Sequence, residues 1–344
     1  MSHHNGVPRV LAAVDKFRGT ATALELTAAV AAGARAAGWV CDEAPLSDGG
    51  EGMLDVFGGP NRATDVTGPL GRVVNAPWRL HGMTAVIESA RACGLLLAGD
   101  AQGNDPVNAT TAGVGELLTA ALDAGARKII VGLGGSASTD GGLGALRAGP
   151  RPGRMKGVEL LVACDVDTLF TDAARVFAPQ KGATVKQVEL LERRLASLRD
   201  GYLADYGVDL SAVEGAGAAG GLAGGLMILG GRIVHGFDAA ADEVELDDRI
   251  EDSDMVITGE GFLDGASFCG KVVGGVVERA GWADKPVVVI VGDADTEGRA
   301  AAAASDPAPT VVVLSDIYGE ERARQNTAAL VEDEIRRILD IPRR

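Results

Sequence analysis

Residues that can do chemistry recur at the ends of apolar runs rich in β-branched side chains. Five of six such runs end in a carboxylate, and the sixth ends in glycines and a serine. In chain order the endings are Asp15-Lys16, Glu88, Gly134-Gly135-Ser136, Asp165, Gly259-Glu260-Gly261 and Asp293. A single Asp at such a place is usually a turn residue or a helix N-cap. Five acids together favour a shared site, because carboxylates can coordinate Mg²⁺ or accept a proton.

Two glycine-rich loops place an Asp beside a pair of glycines. LSDGGEG (46–52) contains Asp48, and GGSASTDGG (134–142) contains Asp140. Backbone N–H groups in such loops can surround phosphate oxygens, while nearby carboxylates hold Mg²⁺ against the same phosphates. The sequence has no G-x-x-x-x-G-K-[ST], H-R-D or D-F-G motif. A kinase built on these loops therefore uses neither a P-loop nor the protein-kinase fold.

A third glycine-rich stretch, GAGAAGGLAGG (215–225), begins with the letters G-x-G-x-x-G of a dinucleotide-binding site. That fingerprint requires a strand that ends at its first glycine. The preceding residues, DYGVDLSAVE, contain no β-rich run. The stretch predicts a glycine-rich loop that opens a closely packed helix, and no binding of NAD or NADP.

The elements that position these residues alternate along the chain. Short β-rich runs are separated by Ala- and Leu-rich segments of helical period, such as 23–38, 112–126 and 185–202. This alternation is typical of an α/β protein whose parallel strands are buried beneath helices. Ligands of open parallel sheets bind beyond the carboxyl ends of the strands, which is where the acids and glycine loops lie.

Composition limits the class of protein. A chain of 344 residues that is 47% hydrophobic is long enough for two domains with a cleft between them. A net charge of −16 disfavours nucleic acid as a partner, and an anionic substrate would need metal ions or local Lys and Arg.

Four scattered cysteines without C-x-x-C spacing and four histidines indicate neither a zinc site nor a Ser-His-Asp triad. With no signal peptide or spanning segment, we expect a cytoplasmic monomer or homodimer with no membrane contact.

The order of motifs resembles one known family over nearly the whole chain. DKFRGTATALE, LSDGGEG, NATTAGVGELLTAALDAGARKIIVGLGGSASTDGG, VACDV, FAPQKGA, GAGAAGGLAGG and VITGEGFLD, followed by Gly270-Lys271, occur in the order seen in bacterial glycerate kinases of the two-domain, non-P-loop type. The resemblance implies ATP-dependent phosphorylation of D-glycerate, usually on the 2-hydroxyl, with Mg²⁺. It also implies two α/β domains with mainly parallel sheets, one inserted in the other. We expect residues 1–72 and 241–344 to form one domain and residues 73–240 the inserted one.

Roles for the candidate residues follow from what phosphoryl transfer needs, which is alignment, charge neutralisation and a base. Lys16 and Arg18 would hold the substrate carboxylate. The ATP phosphates would lie along Gly134, Gly135 and Ser136 and along Gly217, Gly220 and Gly221, with Lys271 as a point charge. Asp48, Asp140, Asp165 and Glu260 are the candidate acids, with Glu260, Asp48 and Asp165 assigned to the metal and Asp165, Asp48 or Asp140 to the base. Which carboxylate does which task is left open.

Several residues depart from the family pattern. The usual D-S-F-K-G is Asp15-Lys16-Phe17-Arg18-Gly19 here, Phe262 stands where the family has Arg, and the segment 147–160 is short. Lys16 could supply the positive charge that is lost at Phe262, in which case glycerate remains the substrate. The alternatives are a kinase of the same scaffold that acts on another small hydroxy or sugar acid, and a catalytically silent relative that binds a metabolite. The choice between the 2- and 3-hydroxyl is also open.

Overall fold

The computed structural model describes residues 6–50 and 52–340 of the chain. The chain divides into two compact units: unit 1 comprises Met1–Asp48 and Ala240–Arg344, and unit 2 comprises Gly49–Ala239. Unit 2 is therefore a single insertion within unit 1. None of the helices in the described residues combines the length and apolar character that a membrane crossing requires.

The regular elements of the described residues are eleven strands and sixteen α-helices. The strands are β1 (Arg9–Ala12), β2 (Val40–Glu43), β3 (Arg62–Thr67), β4 (Val73–His81), β5 (Thr84–Glu88), β6 (Lys128–Gly132), β7 (Glu159–Ala163), β8 (Arg232–Val234), β9 (Met255–Leu263), β10 (Val287–Ala294) and β11 (Thr310–Val313). The helices are α1 (Ala23–Ala36), α2 (Met53–Val56), α3 (Ala90–Cys93), α4 (Asp100–Gly103), α5 (Ala112–Asp123), α6 (Leu143–Ala148), α7 (Ala173–Phe177), α8 (Val185–Tyr206), α9 (Ala218–Ile228), α10 (Gly236–Glu243), α11 (Leu246–Glu251), α12 (Val272–Trp282), α13 (Thr296–Ala304), α14 (Leu314–Tyr318), α15 (Glu320–Gln325) and α16 (Thr327–Leu339).

Unit 1 contains a five-stranded parallel sheet in the order β11-β10-β9-β1-β2. The first strand pairs with β9, although the inserted unit separates them along the chain. Helices α1 and α16 pack on each other, and Leu26 and Val30 of α1 share one buried core with Val331 and Ile335 of α16. Apolar strands covered in this way account for the long β-branched runs of the sequence.

Unit 2 contains a six-stranded sheet in the order β3-β4-β5-β6-β7-β8. The strands from β5 to β8 are parallel, and β3 and β4 join them as an antiparallel edge. Because β3 pairs with β4, residues 49–72 belong to the inserted unit. The expected boundary near residue 72 therefore moves to Gly49, whereas the expected boundary near residue 240 differs from the observed one by one residue.

The glycine stretch 215–225 forms a loop and the helix α9, as the sequence predicts, but it contains a sharp break. Ala219, Gly220 and Gly221 have φ values of 52°, 71° and 86° inside the helix. A Cβ at Gly220 would stand 2.1 Å from the Ser138 carbonyl oxygen, and the Gly220 carbonyl accepts a hydrogen bond from Gly141 N. The break thus allows α9 to touch the loop 134–142 backbone to backbone.

This geometry gives Gly217, Gly220 and Gly221 a packing role, and their predicted place along ATP phosphates stays a prediction. All three glycines are buried. A Cβ on Gly217 would meet the Leu169 carbonyl oxygen at 2.4 Å, and one on Gly221 would meet Gly141 Cα at 2.9 Å. The side-chain direction of each glycine is thus occupied by other parts of the backbone, so these glycines allow close packing of α9 against its neighbours.

Gly220→Ala is expected to lower the thermal midpoint (Tm) more than Gly207→Ala. Both glycines have a φ of +71°, so the strain of a left-handed Cβ is matched, but nothing lies within 4 Å of a Cβ at Gly207. The clash with Ser138 adds an overpacking cost of about 1–3 kcal/mol at Gly220 alone. Thermal unfolding of the two variants measures the difference. Equal losses of Tm would show that the close approach carries no energetic weight.

Candidate functional site

Asp15 and Glu260 lie near each other at the carboxyl ends of two inner strands of the unit 1 sheet. Ala13 N donates to the Ile257 carbonyl oxygen at 2.8 Å and Asp15 N to that of Gly259 at 3.0 Å, so the chain stays paired with β9 beyond the end of β1. Asp15 consequently lies close enough to Glu260 for the two carboxylates to interact electrostatically. The residues Gly259 to Phe262 lie inside β9 rather than in a loop after it, which corrects the predicted end of that strand.

Lys16 is held between two carboxylates of unit 1. Its Nζ atom lies 3.1 Å from Asp48 Oδ1 and 3.6 Å from Asp15 Oδ1. Burial lowers the pKa of Lys16, but the charges of Asp15 and Asp48 outweigh it and raise that pKa above the usual value. The positive charge predicted to hold the substrate is therefore shared with two acids. Its compensation for Phe262 stays a prediction.

Asp15 and Glu260 are the two acids of unit 1 with strongly shifted pKa values. Burial raises the pKa of Asp15 to about 6, and Asp48 adds to the shift while Lys16 opposes it. Burial also raises the pKa of Glu260 to about 7, with the Ser267 side chain and Lys271 opposing the shift and Asp15 adding to it. The Oε1 atom of Glu260 is buried without a hydrogen-bond partner among the described residues. Carboxylates in this range can exchange protons at neutral pH.

Unit 1 also presents two basic residues close to these acids. Arg18 is exposed and Lys271 half-buried, and neither forms an ion pair within residues 6–50 and 52–340. A Cβ on Gly261 would meet Arg18 N at 3.1 Å and Phe17 Cα at 3.2 Å, so a glycine is needed for this turn to lie against β9. Phe262 is 50% exposed and offers an aromatic surface beside them. The arrangement can bind an anion next to a protonatable carboxylate.

The donor set of unit 1 fits Mg²⁺ as a partner of phosphate. The described residues contain no group of three His, Cys, Asp or Glu side chains that could form a complete metal site. Mg²⁺, however, is commonly bound by one or two carboxylates together with substrate phosphates and water. The unpartnered Oε1 of Glu260 supplies a hard oxygen ligand of this kind.

In unit 2, the loop after β6 forms an open set of backbone donors. The N–H groups of Gly134, Gly135 and Ser136 have no hydrogen-bond acceptor in the part of the chain that the structure describes. Gly135 is exposed and has a φ of +56°, the left-handed conformation that occurs in anion-binding nests, whereas Ser136 is only 4% exposed. This geometry suits the phosphate role that the sequence predicts for these three residues.

Asp140 lies in the same loop, but its surroundings suit an anchor. Its carboxylate accepts hydrogen bonds from Thr111 N and Oγ1, from Gly142 N and from Gly144 N at distances of 2.9 to 3.1 Å. An acid with this many donors ties the loop to the start of α5 and leaves little of either oxygen for a metal ion or a substrate. The predicted role of Asp140 as a base is therefore poorly served by its geometry.

Two acids at the carboxyl ends of the unit 2 strands bind neighbouring backbone. Asp165 Oδ1 accepts a hydrogen bond of 2.9 Å from Gly236 N, the first residue of α10. Glu88 accepts hydrogen bonds from Gly52 N and Leu54 N and pairs with Arg91. Glu88 thus binds the backbone at the start of α2, whereas Asp165 is half-buried at the start of α10.

Sequence reasoning missed two charged residues that the structure brings to these sites. Asp15 was named only as a strand ending, although an acid that ends a buried central strand is the first place to expect desolvation. Lys181 lies in the FAPQKGA motif, and the sequence alone indicates no chemical role for it. It lies 2.9 Å from Ser136 Oγ, and nothing in its spacing indicates that contact.

Glu260→Gln is expected to remove a pH dependence of stability. The folded pKa near 7 exceeds the ordinary 4.5, so the folded state binds the proton more tightly and the free energy of unfolding falls as pH rises from about 4.5 to 7. Each pKa unit corresponds to about 1.4 kcal/mol of unfolding free energy. Between pH 4 and pH 8, the wild type should therefore lose roughly 3 kcal/mol more unfolding free energy than the variant does. Unfolding curves at both pH values measure it, with the exposed Glu278→Gln on α12 as control. Parallel pH profiles of wild type and Glu260→Gln would contradict the shift.

The chain is similar to known proteins over most of its length. The model of the Glycerate kinase family matches residues 10–149 and 150–342. Glycerate 2-kinase of Escherichia coli (strain K12) is 37% identical over 327 residues, covering 83% of this chain and 85% of the relative. Glycerate kinase of Bacillus subtilis (strain 168) is 36% identical over 332 residues, covering 85% of this chain and 87% of the relative.

A solved structure extends the likeness to the fold. The crystal structure assigned to glycerate kinase 2 of Salmonella typhimurium LT2 superimposes with a TM-score of 0.81 at 32% identity, and the match covers 97% of each chain. Two α/β units with mainly parallel sheets, a family match over most of the sequence and relatives above 30% identity lead to one conclusion. The chain belongs to the glycerate kinase family.

Proposed function

We propose that this protein transfers the terminal phosphoryl group of ATP to the 2-hydroxyl of D-glycerate. The observation that carries the proposal is the open nest of backbone N–H groups at Gly134–Ser136, in a chain whose relatives are named glycerate kinase and glycerate 2-kinase. Three neighbouring backbone N–H groups without a protein acceptor in the described residues favour a phosphate over a neutral ligand. The name of the Escherichia coli relative, glycerate 2-kinase, supports the 2-hydroxyl as the acceptor.

A pocket of unit 2 suits the remainder of the nucleotide. It has a volume of about 450 Å³ and adjoins Thr139, three residues after Ser136 in the same loop. Leu190 and Leu198 of α8 give it apolar walls, and Arg193 and Arg194 add guanidinium groups. This mixture of apolar surface and a few charged groups is typical of sites for small organic anions.

Unit 1 would handle the hydroxyacid. Arg18, exposed and without an ion pair among the described residues, is best placed to bind the substrate carboxylate through its two-pronged guanidinium. Lys16 would keep Asp15 and Asp48 in place, since its Nζ atom contacts both. Asp15, with a pKa near 6, is suited to take the proton of the attacking hydroxyl at neutral pH.

Glu260 is the residue we assign to Mg²⁺, with Asp48 and Asp165 as further candidates. Its unpartnered buried oxygen is a ready ligand. The bound ion would neutralise the developing charge on the phosphates. Lys271 stays near Glu260 as the point charge predicted from the sequence.

Turnover with purified protein tests the function. In the presence of Mg²⁺, we expect phosphate to pass from ATP to D-glycerate, and removal of the metal with EDTA should abolish this. A panel of other small hydroxyacids at equal concentration serves as the comparison. A kcat/KM for another acid that exceeds that for D-glycerate by about tenfold or more would establish the same-scaffold alternative. Binding of ATP or glycerate without turnover would establish a silent relative.

The choice of base is tested by Asp15→Asn and Asp165→Asn. If Asp15 takes the proton, Asp15→Asn should lose at least about 100-fold in kcat, which is the low end for a positioned general base. Asp165→Asn keeps an oxygen that can accept the bond from Gly236 N, so this contact should survive the substitution. Steady-state kinetics of both variants, with Tm as a check on folding, decide the assignment. A loss confined to Asp165→Asn would move the base to unit 2.

A further inference from the structure

Lys181 is a buried cation that the proposed mechanism does not use. It ends the short 3₁₀ turn Pro179–Lys181, and its residue surface is 4% exposed. The Nζ atom donates to Ser136 Oγ at 2.9 Å and to the Ser138 carbonyl oxygen at 2.6 Å. No carboxylate lies within ion-pair distance of it in residues 6–50 and 52–340. The ammonium group therefore lies behind the loop without a direct ion pair among these residues, although the charge of Asp140 acts on it from a greater distance.

A second contact fixes Lys181 and the loop to each other. The Asn104 side chain donates from Nδ2 to the carbonyl oxygens of both Ala137 and Lys181, each at 3.0 Å. The turn that carries the ammonium and the loop that carries Ser136 are thus held to one side chain. Movement of Lys181 away from the loop would break these bonds together.

An unpaired buried charge is costly, which makes its presence informative. Burial lowers the pKa of Lys181 to about 8, while the nearby Cys93 and Asp140 raise it. A buried charge that lacks a partner in the protein is expected where a ligand supplies the missing charge. An anion bound on the nest would supply it.

The Ser136 hydroxyl connects the cation to the ligand. A hydroxyl group has one O–H donor and two acceptor lone pairs, and the ammonium occupies one lone pair. No acceptor for the hydroxyl hydrogen occurs in the described part of the chain. The hydrogen is therefore available on the same loop as the three free N–H groups, and the neighbouring ammonium strengthens it as a donor.

We propose that Lys181 is a positioning residue that orients the Ser136 hydroxyl toward a phosphate group on the Gly134–Ser136 nest and supplies the positive charge behind it. The identity of that phosphate as part of a nucleotide rests on the proposed function. Lys181 itself does not touch the ligand, because its ammonium lies behind Ser136. Its effect should therefore appear in nucleotide affinity and in the coupling of binding to protons.

Proton uptake is the signature that separates this role from a purely structural one. At pH 9 most Lys181 side chains in the free protein are neutral, because the pKa is near 8. A bound phosphate favours the charged form, so binding should draw a proton from solution. The phosphate groups of ADP, whose last pKa is about 6, are already fully ionised at pH 9 and therefore take up no proton on binding.

The experiment is titration calorimetry with Mg²⁺-ADP at pH 9 in two buffers of different ionisation enthalpy. The wild type should take up a fraction of a proton, whereas Lys181→Met should take up none and bind ADP about tenfold more weakly or worse. Lys186→Met, which removes an exposed lysine at the start of α8, should behave as the wild type. Ser136→Ala, which retains the ammonium, should also weaken ADP binding and covers the case in which Lys181→Met does not fold.

The outcomes separate this inference from the proposed function. Unchanged ADP affinity in Ser136→Ala, or unchanged proton uptake in Lys181→Met, would overturn the role of Lys181 even if the protein phosphorylates glycerate. Absence of ADP binding to the wild type would also overturn it. Uptake that depends on Lys181 would support it even if no hydroxyacid were phosphorylated, in which case only the proposed function would fail.

Discussion

Backbone contact between two glycine-rich segments is the constraint on which the site of unit 2 depends. Gly141 N bonds to the Gly220 carbonyl, and a Cβ on Gly142 would stand 2.7 Å from Gly225 Cα. Only residues without a side chain can bring α9 this close to the loop 134–142. The loop is thereby held from one side, with Asp140 tying it to α5, so its other side can keep N–H groups free of protein partners. A rigid loop with free donors is preorganised for an anion.

Each unit stores charge at a cost to its stability. In unit 1, Asp15 and Glu260 are desolvated to the point where their pKa values approach neutrality. In unit 2, the ammonium of Lys181 is buried without a direct ion pair in the described part of the chain, and Asp140 acts on it only from beyond ion-pair distance. Groups of this kind are usually compensated within the fold, and those that are not are concentrated at functional sites. The two signs are complementary to the needs of the reaction, because acids suit a metal ion and a hydroxyl proton while cations and N–H groups suit phosphate.

The sequence predicted the features that follow from periodicity and failed where distant segments meet. The parallel sheets follow from β-rich runs that alternate with helices, and the insertion was implied by the resemblance to the family. The boundary near residue 72 was misplaced because the antiparallel pairing of β3 with β4 leaves no mark in hydrophobic pattern. The sequence predicts that Gly217, Gly220 and Gly221 contact phosphates, because it does not show whether a glycine is exposed or packed against other backbone. Lys181 was overlooked because its contact with Ser136 spans 45 positions of sequence.

Substrate choice depends on how unit 1 distributes its positive charge. Lys16 is paired with Asp48 at 3.1 Å and with Asp15 at 3.6 Å, so an incoming carboxylate would compete with two acids already in place. Arg18 has no such competitor among the described residues and, unlike Lys, can bind a carboxylate with two parallel hydrogen bonds. Phe262, half exposed on β9, removes the Arg that the family pattern carries there without adding a donor. We therefore expect the change from D-S-F-K-G to Asp15-Lys16-Phe17-Arg18-Gly19 to leave Arg18 available for the substrate carboxylate, while Lys16 contacts the two acids.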